Sequence, residues 1–217
     1  MSLSAYSLLS LEDLKEQLSV SGGGKDTVLE SILGRVTDEI EQHLGRQIVS
    51  RGSLTEYHTF QTDGAAVFDS ELRTLDFPIL TVTSVHEDIA LPHTYGSSAL
   101  LVVGTGYEVV KPRGIIRRLN GGTGLPWNWD TGSRAIKIVY TAGYTVATVP
   151  YRIRGVAIGY AGLIWEEHKR GGYGISGQTD ALGNFTRFAM PTLNEDMKDR
   201  LADEKRPSFW TSGERDA

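Results

Sequence analysis

The chain of 217 residues has no cysteine. That excludes a disulfide framework, a cysteine-ligated zinc or iron-sulfur site and a thiol nucleophile. Basic charge is scarce at one end: residues 1–45 hold only Lys15, Lys25 and Arg35 against eight acidic side chains. The rest of the chain is balanced, so the net charge of −5 belongs to that first segment. A dedicated duplex binder would be basic overall. Long apolar runs are missing as well. The longest near-apolar stretch, Gly155 to Trp165, is too short to cross ~30 Å of hydrocarbon as a helix. Met1 to Leu9 lacks the basic start and apolar stretch of a secretory leader, so none is expected.

Ligand chemistry is equally sparse. The five histidines, His43, His58, His86, His93 and His168, never fall at a metal-ligating spacing, and the zincin-like His86-Glu87 fails at Ala90. Gly22-Gly23-Gly24-Lys25 lacks the phosphate-loop pattern, with Ser19 and Asp26 at the two diagnostic positions. Ser176 misses the second glycine of a nucleophile elbow. No cofactor, metal or catalytic set is expected, and the chain reads as a non-enzyme. Glycine is what the chain has in excess, 25 residues, well above the usual ~7%.

The hydrophobic period divides the chain. Ser10 and Asp13 open a short helix with Leu11, Leu14 and Leu18 on one face. Asp26 is expected to cap a longer helix carrying Val28, Leu29, Ile32, Leu33, Val36, Ile40 and Leu44 inward, with Gly45 as its stop. From Gln47 the period falls to about two. Short strands are expected at 48–60, 65–68, 79–86, 100–103, 107–110, 114–117 and 135–140. Pro78 stands where a strand can begin, and Gly143 signals a bulge or a close backbone approach. Pro150 opens a third helix to about His168, then a glycine-rich loop spans 171–177, a short strand 185–188 and a polar helix 193–204. The fold class is α+β: a helical body with an inserted antiparallel β module. The expected parts are a helical hairpin at 1–46, the β module at 47–148, completing helices at 149–206 and a flexible tail at 207–217.

Several surfaces are candidates for contact. Gly155, Gly159 and Gly162 share nearly one face of the third helix, each costing about 1 kcal/mol against alanine, so close packing within the protomer or against a neighbouring subunit is expected there. Lys111, Arg113, Arg117 and Arg118 form the one basic stretch, suited to weak contact with passing DNA, to a solvated hairpin or to pairing between subunits. Trp127 and Trp129 could make a sugar-binding shelf or pin a loop to the sheet. Arg206, Phe209 and Trp210, after a helix and beside Pro207, are candidates for contact with a partner.

The order of these parts resembles the head-to-tail connector (adaptor, or head-completion) family of tailed bacteriophages. The likeness runs through Leu11-Glu12-Asp13-Leu14-Lys15-Glu16-Gln17-Leu18, His43-Leu44-Gly45-Arg46-Gln47-Ile48, Phe77-Pro78-Ile79-Leu80-Thr81-Val82-Thr83-Ser84-Val85 and Lys137-Ile138-Val139-Tyr140-Thr141-Ala142-Gly143-Tyr144 before Val149-Pro150. Trp165-Glu166-Glu167-His168 and Gly183-Asn184-Phe185-Thr186 follow in order. The most specific of these is Tyr-Thr-Ala-Gly-Tyr ahead of a proline-led helix. The three glycines of the long helix and the size of the β insertion depart from the smaller members.

The resemblance implies a structural protein of the virion neck, assembled in the host cytoplasm. It implies a homo-oligomeric ring of about twelve copies with closed symmetry, bound to the portal protein and to the next neck or tail-completion protein. In such a protein Arg206, Phe209 and Trp210, picked out by their place in the tail, are the candidates for contact with the portal. Two other classes remain open at this level: a carbohydrate- or cell-surface-binding β module using Trp127 and Trp129, and a small hydrolase with paired carboxylates. Another neck protein is a further alternative.

Overall fold

The computed structural model describes residues 6–60, 70–170, 177–179, 185–187, 191–205 and 213–215. The chain forms two compact units, one from residues 1–45 and 145–205, the other from 46–144 and 206–217. The fold is α+β.

Among the described residues the first unit holds four α-helices: α1 (Leu11–Gln17), α2 (Asp26–Leu44), α3 (Tyr151–Lys169) and α4 (Glu195–Leu201). Ser10 caps α1, its hydroxyl accepting the Asp13 amide at 3.0 Å. Asp26, expected as a cap, is instead the first residue of α2; Lys25 precedes it, and the Asp26 carboxylate pairs with Lys15 at 2.7 Å. There the acid still lies at the positive end of the helix. Gly45 ends α2 in the left-handed conformation, φ 67°, where a Cβ would be penalised. Leu29, Ile32, Leu33, Val36, Ile40 and Leu44 of α2 are buried, as are Ile153, Val156, Ala157, Tyr160, Ala161, Ile164 and Trp165 of α3. These recur at three- and four-residue steps, so each helix turns one stripe inward.

A polar tie fixes the seam. The Tyr160 hydroxyl donates to the Glu39 carboxylate. Arg35 donates to Glu39 at 2.8 Å and to the Pro191 carbonyl at 3.0 Å. Burial, followed by the bond to Glu39, pushes the Tyr160 phenol up to about 12. The neutral phenol is therefore favoured in the folded state, and stability from this group is present below pH 10 and lost as pH rises towards 12. Alkaline titration of unfolding by urea is expected to show a loss of stability between pH 10 and 12 that is smaller in Tyr160→Phe. Equal losses in both proteins would contradict the assignment.

The second unit is built on two antiparallel sheets. Its strands are β1 (Ser53–Phe60), β2 (Glu71–Arg73), β3 (Ile79–Glu87), β4 (Tyr107–Val110), β5 (Ile115–Arg118) and β6 (Gly132–Ala142). In the first unit's residues a two-stranded hairpin joins β7 (Gly177–Thr179) to β8 (Phe185–Arg187). Last, β9 (Gly213–Arg215) adds to the edge of β1, giving the sheet order β3-β6-β1-β9; the other sheet runs β2-β5-β4. Sequence patterning expects a free tail from 207; residues 213–215 are instead a strand, facing Glu56, Tyr57 and His58 in register. β6 is the central strand, and one apolar cluster including Leu72, Val85, Tyr107, Ile116, Ile136, Ile138 and Tyr140 draws on both sheets.

The expected strand at 100–103 does not form. That segment makes only single bridges, Leu100 to His86 and Val103 to Tyr107. Likewise 48–52 stays outside β1, joined through a bridge from Val49 to Tyr144. The strand expected at 65–68 lies outside the described residues.

Within the sheet unit, Glu56 is buried with none of its side chain exposed. Its carboxylate accepts the Leu75 amide at 3.1 Å from either oxygen, takes the Tyr140 hydroxyl and meets His58 Nε2 at 3.2 Å. The Tyr140 oxygen in turn accepts the Asp76 amide at 3.2 Å, and Asp76 accepts the Gln47 amide at 2.9 Å. Burial above all, then the neighbouring Glu56 carboxylate, pushes the Tyr140 phenol far up, so it stays a donor. One buried acid therefore holds the bend at 74–77 onto β1 and β6.

Candidate interaction surfaces

The three α3 glycines divide by environment. Gly159 is exposed but has Met197 Cε 3.5 Å from the place a Cβ would take, and Gly162 has Leu18 Cδ2 at 3.8 Å. Both therefore lie against α4 or the end of α1. Gly155 is exposed, and nothing lies within 4 Å of its Cβ position. With φ in the helical range and open space, Gly155→Ala is expected to stabilise the chain by about 1 kcal/mol, read from the urea midpoint. A loss of stability in the isolated chain would contradict that geometry. Tyr151 and Leu163, also exposed, share the outer side of the helix.

The basic stretch comes apart in the same way. Arg117 lies between two carboxylates on its sheet neighbours, donating to Glu71 at 2.8 Å and to Glu108. These bonds, to Glu71 first, raise its pKa. Arg118 pairs with Glu87 at 2.8 Å and donates to the carbonyls of Gly106 at 2.9 Å and Leu119 at 2.5 Å. Neither guanidinium is available as a free cation. Lys111 and Arg113 stand exposed on the 3₁₀ turn between β4 and β5. That turn is held down by Gly114, φ 63°, whose Cβ position is 2.6 Å from Thr74 Oγ1. Of the four expected DNA contacts, only these two remain open to a phosphate backbone.

The two tryptophans also separate. Trp129 is buried in the apolar cluster, stacked on Phe60 with ring centroids 6.5 Å apart and with the Arg118 guanidinium 6.0 Å from its centroid. Trp127 is exposed. A shelf made from both indole faces is therefore absent, and Trp129 pins its loop to the sheet. Arg206, Phe209 and Trp210 lie outside the described residues. Among the described residues no group of three or more His, Asp or Glu side chains could hold a metal ion, and no helix is long and apolar enough to cross a membrane.

Sequence reasoning did not find the role of Arg118 as an internal tie. Its partners are a glutamate on β3 and two loop carbonyls, and only the strand register brings them together.

The fold is that of a chain in a solved structure described as the neck of an empty GTA particle computed with C6 symmetry. The two are 18% identical, with a TM-score of 0.53, and the alignment covers 91% of this chain and 89% of that one. No protein-family profile matches the chain, and no curated protein matches it.

Proposed function

We propose that the chain is a structural, non-enzymatic subunit of the neck of a tailed, phage-like particle, a head-to-tail connector that forms a ring and docks on the portal. The observation that carries the reading is the fold shared over nearly the full length of both chains with a component of a particle neck. The order of parts in the sequence supports the same family from a separate direction. In this reading the ring has closed cyclic symmetry with about twelve copies, and heterologous contacts repeat around the axis. The C6 symmetry of the neighbouring particle's neck is compatible with that number, because a twelvefold ring contains the sixfold axis.

The helical unit supplies the wall of the ring, with the outer side of α3 at Tyr151, Gly155 and Leu163 as one contact between copies. The segment with Arg206, Phe209 and Trp210 is the portal contact, since adjacent large aromatics in a terminal segment are typical interface anchors. Lys111 and Arg113 touch DNA as it passes, a weak and salt-sensitive contact. The particle neck is the place of action, reached by assembly in the host cytoplasm.

Deleting residues 208–217 and measuring co-sedimentation with portal rings tests the portal assignment. Loss of the chain from the portal pellet is expected. Retention equal to the full chain would remove the tail from the interface.

A further inference from the structure

Four asparagines occur in the chain, and only Asn120 is followed by glycine. The pair lies in the turn that leads from β5 towards Trp129, and Gly121, Gly122, Thr123 and Gly124 are all exposed. Asn120 itself closes this turn. Its backbone amide donates to the Leu125 carbonyl at 2.8 Å, and its backbone carbonyl accepts the amides of Thr123 at 3.1 Å and Gly124 at 2.7 Å. Its side-chain Oδ1 accepts the Gly122 amide at 2.9 Å. The Leu125 amide goes to the Thr123 hydroxyl, so every amide from 122 to 125 has an acceptor. The Gly121 amide has none among the described residues, and the Asn120 side-chain nitrogen has no partner either.

That pattern sorts the atoms for one reaction. The backbone nitrogen that follows an asparagine is the nucleophile that can close a succinimide ring on the side-chain Cγ. At 121 this nitrogen is exposed, free of a hydrogen bond and next to a carbon that bears no side chain. The carbonyl under attack is already polarised by the Gly122 N–H, a donor that stays in place as charge grows on Oδ1. Nothing holds the departing nitrogen. The other described asparagines lack these features. Asn194 caps α4, its side chain accepting the Met197 amide at 2.9 Å, and Glu195 follows it. Asn128 is followed by the bulky Trp129.

We propose that Asn120 is a site of self-modification, converted through a succinimide with Gly121 to aspartate and isoaspartate. The Gly121 nitrogen bonds to Asn120 Cγ as its proton passes to water. The bond from Cγ to Nδ2 breaks, and ammonia leaves. Water then opens the ring: cleavage at Cγ gives aspartate, and cleavage at the former main-chain carbonyl gives isoaspartate. Aspartate still accepts the Gly122 amide, now with a charge behind the bond. Isoaspartate lengthens the backbone and removes the main-chain carbonyl that Thr123 and Gly124 share. Either product puts a negative charge into 119–129, a stretch that has no charged side chain. This chemistry does not depend on the connector reading.

The test incubates the folded full-length chain in mildly alkaline buffer and follows the tryptic peptide 119–134, released by cuts after Arg118 and Arg134, by mass spectrometry with fragmentation. Both aspartate and isoaspartate are expected at 120, with Asn128 and Asn194 unchanged over the same period. Gly121→Ala is expected to slow the conversion about tenfold, because a Cβ crowds the attacking nitrogen. The alanine fits the fold, since nothing lies nearer its Cβ than the Thr105 carbonyl oxygen at 3.9 Å, and circular dichroism matching wild type verifies it. A folded wild-type chain that keeps Asn120 intact while the chain unfolded in guanidinium converts it would show that the turn shields the nitrogen, and overturns the proposal. Aspartate without isoaspartate, or an equal rate in folded Gly121→Ala, would mean direct hydrolysis by water and overturns it as well.

Discussion

Glu56→Ala is expected to destabilise the sheet unit by about 3–5 kcal/mol, the range for breaking a buried polar network by removing one partner. The carboxylate is the common acceptor for the Leu75 amide, the Tyr140 hydroxyl and His58. Deleting it removes that acceptor where water does not enter, and leaves a cavity as well. The bend at 74–77 then loses its attachment to β1. Glu56→Gln keeps one oxygen but turns an amide donor towards donors, so an intermediate loss is expected. Tyr140→Phe, which keeps the ring packing and removes the hydroxyl, should cost about 1–3 kcal/mol. Urea unfolding followed by tryptophan fluorescence checks the series, since Trp129 is buried in this unit. A change under about 1 kcal/mol for Glu56→Ala would show that the acid is not the anchor of the bend.

Gly143→Ala is expected to cost about 2–4 kcal/mol, from two additive causes. Its φ of 99° is a conformation that side-chain-bearing residues rarely adopt. A Cβ there would also lie 2.7 Å from the Ile48 carbonyl oxygen and 3.0 Å from the Ser50 amide nitrogen. Both obstacles are backbone, and both belong to the hydrogen-bonded approach of 48–50 to 143–144, in which the Tyr144 amide donates to the Ile48 carbonyl at 2.7 Å and the Ser50 amide to the Tyr144 carbonyl at 2.9 Å. The neighbour cannot swing aside as a side chain end would. Gly124 provides the comparison: its φ is 68°, but nothing lies within 4 Å. Gly124→Ala should therefore cost only about 1–2 kcal/mol, the left-handed penalty alone. Equal midpoints for the two variants in urea would contradict the steric argument.

The sequence carried these two sites unequally. Gly143 was legible, because a glycine near the end of a strongly β-patterned run has few uses other than a bulge or close approach. The helices were legible for a similar reason: apolar residues of α2 and α3 recur at the helical step, and Gly45 stands just past the last of them. Glu56 was not. A glutamate inside a strand ordinarily marks a solvent face, and its partners Leu75 and Tyr140 are brought to it by the pairing of β1 with β6 and the bend before β3.

The same limit explains the strands. Glu71-Leu72-Arg73 carries two charges in three residues and gives no strand pattern, yet it pairs with β5 because Leu72 fills the core and Glu71 meets Arg117. Leu100-Leu101-Val102-Val103 has strong β propensity and remains a loop, with its valines outside. Propensity records what a segment can do, while the neighbouring strand decides whether it pairs. For the interaction surfaces, the sequence located the basic and tryptophan-bearing stretches, but only the register showed that Arg117 and Arg118 are already paired and that Trp129 faces inward.

The central claim, a ring subunit that docks on a portal, is tested most directly by light scattering of the purified chain alone and mixed with portal rings. The account predicts a complex whose mass exceeds that of the portal ring by about twelve chains. A chain that remains monomeric and elutes apart from the portal at every ratio would contradict it.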